Sequence, residues 1–204
     1  MPPRQKIHKD QIVSTATEIA LEKGIKEINI RSIAKRLNCS IAPIYVNFKS
    51  VDELIAEVSM KIQRIMESFM SVQYCDFPLV NLGIGVILFA ERHRSLYREL
   101  IFSRVVNDDQ ALYINKMKED PLLQGLRERD RTNILNKLSI ITAGLGIEAA
   151  CGENDKDISR LLELLFEIGM DVINSTRLKN GLQEVQPFYD KNLIRRIVEE
   201  YLPD

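Results

Sequence analysis

Between Asn29 and Phe48 the chain reads as helix, tight turn, helix, and few folds accommodate that. Ile30-Arg31-Ser32-Ile33-Ala34-Lys35-Arg36-Leu37 has apolar residues at helical spacing on one side and basic residues on the other. Asn38-Cys39-Ser40 interrupts the pattern, and Ile41-Ala42-Pro43-Ile44-Tyr45-Val46-Asn47-Phe48 resumes it as a second short helix. A short basic helix propping another is the arrangement that carries side chains into the major groove of DNA.

The flanks read as further helices. One runs from near Asp10 to Lys23 with Ile12, Ala16, Ile19 and Ala20 on one face, and Gly24 is placed to end it in the left-handed conformation. Asn29 caps the next helix. With Ser40 as N-cap, Pro43 falls at the third helical position, where its missing N–H costs nothing. Ser50-Val51-Asp52-Glu53 is a capping box opening a fourth helix through Phe69, roughly 30 Å at about 1.5 Å per residue, a rigid connection between head and body. Pro78 opens a fifth through Phe89 and His93, followed by Leu96 to Phe102. Short helices are expected over 106–128, long ones over 130–151 and 156–179 ended by Gly152 and Gly181, and a last one over 189–202. No alternating β-branched run competes with them, so the fold class is all-α.

Charge separates head from body. Residues 1–50 hold nine basic and four acidic residues, a balance of +5, while the whole chain has a net charge of −1. A basic head suits phosphates, although charge separation occurs in many enzymes too. Catalytic chemistry finds no support: there is no GxSxG, no Gly-rich phosphate loop and no paired carboxylate in an apolar setting. His8 and His93 are the two histidines and lack metal-type neighbours, so neither a metal site nor a cofactor is expected. Cys39, Cys75 and Cys151 form no CxxC and read as buried thiols of a reducing cytoplasm. Lys6, Lys9 and Asp10 interrupt any secretory pattern, and the most apolar stretch, Leu82 to Ala90, is too short to span a bilayer.

Ile33-Ala34, Leu37-Asn38-Cys39-Ser40, Ile44-Tyr45, Phe48-Lys49 and Asp52-Glu53-Leu54 together resemble the DNA-binding head of TetR-type transcriptional regulators. Phe89-Ala90-Glu91-Arg92-His93 with Leu96-Tyr97-Arg98 resembles that family's fifth-to-sixth helix junction, and Gly144-Leu145 with Ala149 and Gly152 its eighth helix. Three positions depart from the pattern: Asn38 stands in place of Gly, Val51 in place of a phosphate-touching Lys, and Asn47 in place of His. The resemblance implies a three-helix helix-turn-helix domain over residues 1–50 and a helical effector-binding and dimerisation domain over 51–204. It implies an obligate homodimer with a ligand pocket in the body, whose occupation releases or captures the double-stranded operator; the form expected is a repressor released by a small hydrophobic effector. The alternative is the same head on a body that binds a protein partner and acts as a co-activator.

Candidate residues follow. Arg31, Lys35, Arg36 and Lys49 are either phosphate contacts or a solvated face, and the arm residues Arg4 and Lys6 either enter a minor groove or belong to a loose tail. No Arg or Lys lies between Ser40 and Phe48, so bidentate reading of guanine from this helix is excluded. Ile41, Ala42, Pro43 and Val46 can touch thymine methyls, Ser40 or Asn47 can pair with a base edge or phosphate, and an A·T-rich half-site is predicted. Tyr45 is either core or, by its family position, a phosphate contact. In the body, Glu163, Glu167 and Asp171 form one narrow polar strip on a helix otherwise apolar. With the preceding helix it predicts a four-helix dimer interface through Ile134, Leu138, Leu145, Leu161, Leu165, Ile168 and Val172, the other reading being the central helix of a monomeric bundle. Met66, Phe69, Phe89, Tyr97, Phe102, Tyr113, Met117 and Ile141 are core residues of which some line an apolar ligand cavity.

Overall fold

The computed structural model describes residues 7–103, 118, 120–152, 158–186 and 189–202, with the side chains of Phe102 and Ser103 left aside. Among the described residues there are nine α-helices and no strand, which bears out the all-α expectation. The helices are α1 (Lys9–Lys23), α2 (Ile30–Arg36), α3 (Ala42–Asn47), α4 (Val51–Met70), α5 (Pro78–Arg92), α6 (Arg94–Ser103), α7 (Glu128–Cys151), α8 (Ile158–Lys179) and α9 (Lys191–Tyr201). Two 3-10 turns, Ile25–Glu27 and Pro121–Leu123, complete them. Most of 106–128, where short helices were expected, lies outside the described residues.

The chain divides into two compact units, Met1–Ile65 with Ser95–Val106, and Met66–Arg94 with Asn107–Asp204. In the first unit, Ile12, Ala16, Ile19 and Ala20 of α1, Ile33 and Ala34 of α2, Ile44 of α3 and Leu54, Val58 and Ile62 of α4 are buried. They recur every three or four residues because each helix turns one stripe inward. Local chemistry sets the ends. The Asn29 side chain accepts from the Ser32 N–H at 2.8 Å and starts α2. Ser50 Oγ accepts from the Glu53 N–H at 3.1 Å, and the Glu53 carboxylate reaches back to the Lys49 N–H at 2.8 Å, closing the box at the head of α4.

Two junctions differ from expectation. Gly24 does end α1 with a positive φ, but its backbone (φ 103°, ψ 163°) is extended rather than left-handed helical. A 3-10 turn follows at once, and the carboxylate of Glu99 on α6 accepts from its Ile25 N–H at 2.6 Å and Lys26 N–H at 3.3 Å. The positive φ disfavours a side chain at Gly24, and a Cβ there would also lie 2.6 Å from the Glu99 carboxylate, which would have to shift. The second junction is α3, whose N-cap is Ile41 rather than Ser40, which puts Pro43 at the second helical position instead of the third. Both positions lie in the first turn, where no intrahelical partner exists for the missing N–H. Asn38, standing where glycine is usual in the family it resembles, adopts φ 51°.

In the second unit α5 is buried on every side from Asn81 to Ala90, and α7 and α8 pack on it and on each other. Asp120 is buried and caps two elements at once: one carboxylate oxygen accepts from the Leu79 N–H at the head of α5 and the other from the Leu122 N–H, both at 2.8 Å. Burial raises its pKa, and the two N–H donors work against that rise. Asn81 holds the preceding loop by bonding the Cys75 N–H and C=O, each at 2.8 Å. Arg177 ties the tail after α8 to the 3-10 turn through the carbonyls of Leu122, Gln124 and Gln183.

Leu82 to Ala90 lies within a helix of 15 residues. Among the described residues one helix, Glu128–Cys151, is long and apolar enough to cross a membrane, and a third of its most apolar stretch is buried. It starts on Glu128, Arg129, Asp130 and Arg131 and packs on α5 and α8 of its own unit, so part of its apolar surface is already covered.

Candidate nucleic-acid interface

α3 has an inner and an outer face, and its spacing explains both. Ile44 and Phe48, four residues apart, are buried. Ile41 and Tyr45 make one outward row and Ala42 and Val46 another: Ile41 is 47% exposed, Tyr45 58% and Val46 85%, with Ala42 exposed beside them. Leaving Ile41, Tyr45 and Val46 together in solvent over residues 41–46 is not what a closed core produces. Tyr45 is therefore not core, which resolves one alternative left by the sequence.

The flanks are basic. Arg31 and Lys35, one turn apart on α2, and Lys49, just past α3, are exposed and make no ion pair among the described residues. Arg36 behaves differently. Its guanidinium is bidentate to Glu22 at 2.9 and 2.7 Å and holds that carboxyl below its usual pKa range. Ser40 is exposed, Pro43 is half-buried, and Asn47 is half-buried with its amide N–H donated to the Pro43 carbonyl at 2.7 Å. Asn47, expected to meet a base edge or a phosphate, thus has one amide N–H committed to its own helix. Arg4 and Lys6 lie outside the described residues.

Lys9 was not singled out by pattern. It pairs with Glu57 of α4 while its ammonium stands 5.1 Å from the centre of the Phe48 ring, fastening the end of α3 from α1. The Glu57 carboxylate keeps the Lys9 pKa above its ordinary value. Glu99 is the other contact that position alone could not announce, since it lies 74 residues from Ile25.

In the second unit, Ile134, Leu161 and Leu165 are spent in the core of the single chain. Leu138, Leu145 and Val172 are half-buried and Ile168 is exposed. Sequence reasoning missed the most exposed apolar residue of α7, Ile140, at 73%. Ile140, Gly144, Ile147 and Cys151 follow one another at four, three and four residues, the signal that would have found it. A Cβ at Gly144 would meet nothing within 4 Å, so this stripe is open in the single chain.

Of the expected pocket, Phe89 is fully buried and packs edge-on to Phe69, with ring centres 5.6 Å apart and His93 5.0 Å from Phe89. Tyr97 is buried, Met66 and Ile141 are half-buried, and the side chain of Phe102 with Tyr113 and Met117 lies outside the described residues. The described members do not border two depressions of the second unit. One cavity, among Leu138, Thr142, Leu165, Phe166 and Met170, measures about 20 Å³, room for a single water. The other is an open polar depression of about 660 Å³ bordered by Gln73, Asp76, Tyr189 and Arg196. Burial pushes the neighbouring Cys75 thiol up to about 11, so it stays protonated and unreactive at neutral pH. Among the described residues no group of three or more His, Cys, Asp or Glu could hold a metal ion.

No protein-family model matches the chain. Over 122 residues it is 27% identical to the probable HTH-type transcriptional regulator YttP of Bacillus subtilis (strain 168), a match covering 54% of this chain and 59% of that protein. The chain thus spans somewhat over half the length of the curated relative it matches. What it resembles over that span is a transcriptional regulator.

Proposed function

We propose that this chain is a DNA-binding transcriptional regulator in which α2, the turn after it and α3 act as a helix-turn-helix within residues 1–50. The outward rows of α3, set between exposed Arg31, Lys35 and Lys49, carry that reading. Apolar tips for the groove floor and cations for the two phosphate walls are what a duplex requires. The likeness to an HTH-type regulator supports it from an independent direction. The Lys35→Ala/Lys49→Ala double variant is expected to weaken binding alike across a randomised duplex pool. It should also flatten the dependence of log Kd on log salt by about two, one for each phosphate contact removed. A salt slope equal to that of the unaltered protein, or no binding to any duplex at low ionic strength, overturns the reading.

The working form is a homodimer joined through α7 and α8 of residues 51–204. The open stripe through Ile140 and Gly144, with half-buried Leu138, Leu145 and Val172 and exposed Ile168, supports it, because an apolar helix only a third covered leaves surface for a second copy. Sedimentation at micromolar concentration should give a dimer and Ile140→Glu a monomer; a monomeric unaltered protein removes the claim. Repression relieved by a small hydrophobic effector is the mode implied by the TetR resemblance, and that resemblance is its support.

A further inference from the structure

We propose that α3 recognises the 5-methyl groups of thymine, so that its operator is selected by methyls and not by hydrogen bonds to base edges. This rests on α3 being the recognition helix. Three observations carry it. The exposed rows of α3 are Ile41, Ala42, Tyr45 and Val46, whose sole polar atom is the tyrosine hydroxyl. Between Ser40 and Phe48 there is no Arg, Lys, Asp, Glu, Gln or His, and the one amide present, Asn47, is bonded back to Pro43 at 2.7 Å. Bidentate pairing with guanine, which takes an Arg or Lys, is thereby absent from this face, and one N–H of Asn47 is already committed. The surrounding exposed cations, Arg31, Lys35 and Lys49, favour a polyanion as the occupant.

What remains is set by the groove itself. Guanine, cytosine and adenine present only donors and acceptors there, and an apolar row laid against them leaves those groups without water or partner. Thymine adds a methyl, and covering it removes apolar surface from water on both sides. An RNA duplex is a poor fit on two counts: its major groove is too deep and narrow for side chains to read, and uracil lacks the methyl.

The probe is the duplex enriched by the full chain from a randomised pool, resynthesised with deoxyuridine in place of thymidine in the contacted half-sites. Affinity should fall about fourfold for each methyl removed. The same exchange outside the half-sites should change nothing. Val46→Ala, which alters a side chain 85% exposed and so leaves folding intact, should shrink the deoxyuridine penalty. Equal binding of the thymidine and deoxyuridine duplexes, or enriched half-sites without thymine, overturns this inference while DNA binding stands. A penalty unchanged in Val46→Ala takes methyl recognition away from this face. Failure to bind any duplex overturns both this inference and the function it rests on.

Discussion

Val46→Glu is expected to cost at least about a hundredfold in affinity for duplex DNA and to leave thermal stability unchanged. Val46 is 85% exposed in the outward rows of α3, so a carboxylate there is fully hydrated in the free protein. Exposed substitutions of this kind stay within about 0.5 kcal/mol in stability. On docking, the same carboxylate would enter a groove walled by phosphates and lose its water. Like charges set against each other across an interface cost several kcal/mol. Val46→Lys should act in the opposite sense on non-specific DNA, tightening it at low salt through one more released counterion. Fluorescence anisotropy with the enriched duplex, beside a melting curve for each variant, reads both quantities. Undiminished binding by Val46→Glu would mean that this face of α3 does not meet DNA.

The head was legible because its signals are local. Asn29, Asn38, Ser50 and Glu53 announce helix ends through bonds made within three or four residues, and all four take the expected positions. The inner and outer faces of α3 follow from the spacing of Ile44 and Phe48 alone. Misread features depend on partners far away or on rotamers. The turn after Gly24 is bonded by Glu99, a residue of α6, and no periodicity in α1 records that. Arg36 looks like Lys35 in sequence, yet Glu22, one helix back, engages it. The return of one Asn47 N–H to Pro43 is a matter of rotamer that spacing does not record.

The body was legible in outline and ambiguous in detail for a related reason. A helix apolar around most of its circumference, such as α8, has two apolar faces, and hydropathy does not say which looks into its own chain. Ile134, Leu161 and Leu165 turn inward, while the open stripe of α7 runs through Ile140. The expected pocket suffers likewise: Met and aromatic residues at helical spacing fill a core as readily as they border a cavity, and Phe69 and Phe89 pack on each other.

Gly85→Ala is expected to destabilise the second unit by about 2 kcal/mol, a fall in melting temperature of roughly 4–8 °C for a chain of this size. A Cβ built on Gly85 would lie 2.5 Å from the carbonyl oxygen of Phe69, 2.6 Å from its carbon and 2.7 Å from the Cα of Met70. All three are backbone atoms, so no side chain can rotate away, and the last turn of α4 must separate from α5. Overpacking of that kind costs up to about 3 kcal/mol, against which alanine returns about 1 kcal/mol over glycine within a helix. Gly83→Ala on the same helix supplies the comparison. Its nearest neighbours are the methyls of Leu165 at 2.9 and 3.0 Å and the hydroxyl of Thr142 at 3.3 Å, side-chain atoms beside the cavity of about 20 Å³ into which Leu165 can shift. Gly83→Ala should therefore be the milder of the two, near neutral once helix propensity is counted. If both variants melt alike, α5 and the end of α4 are not held in backbone contact at Gly85, and the absence of a side chain there has some other cause.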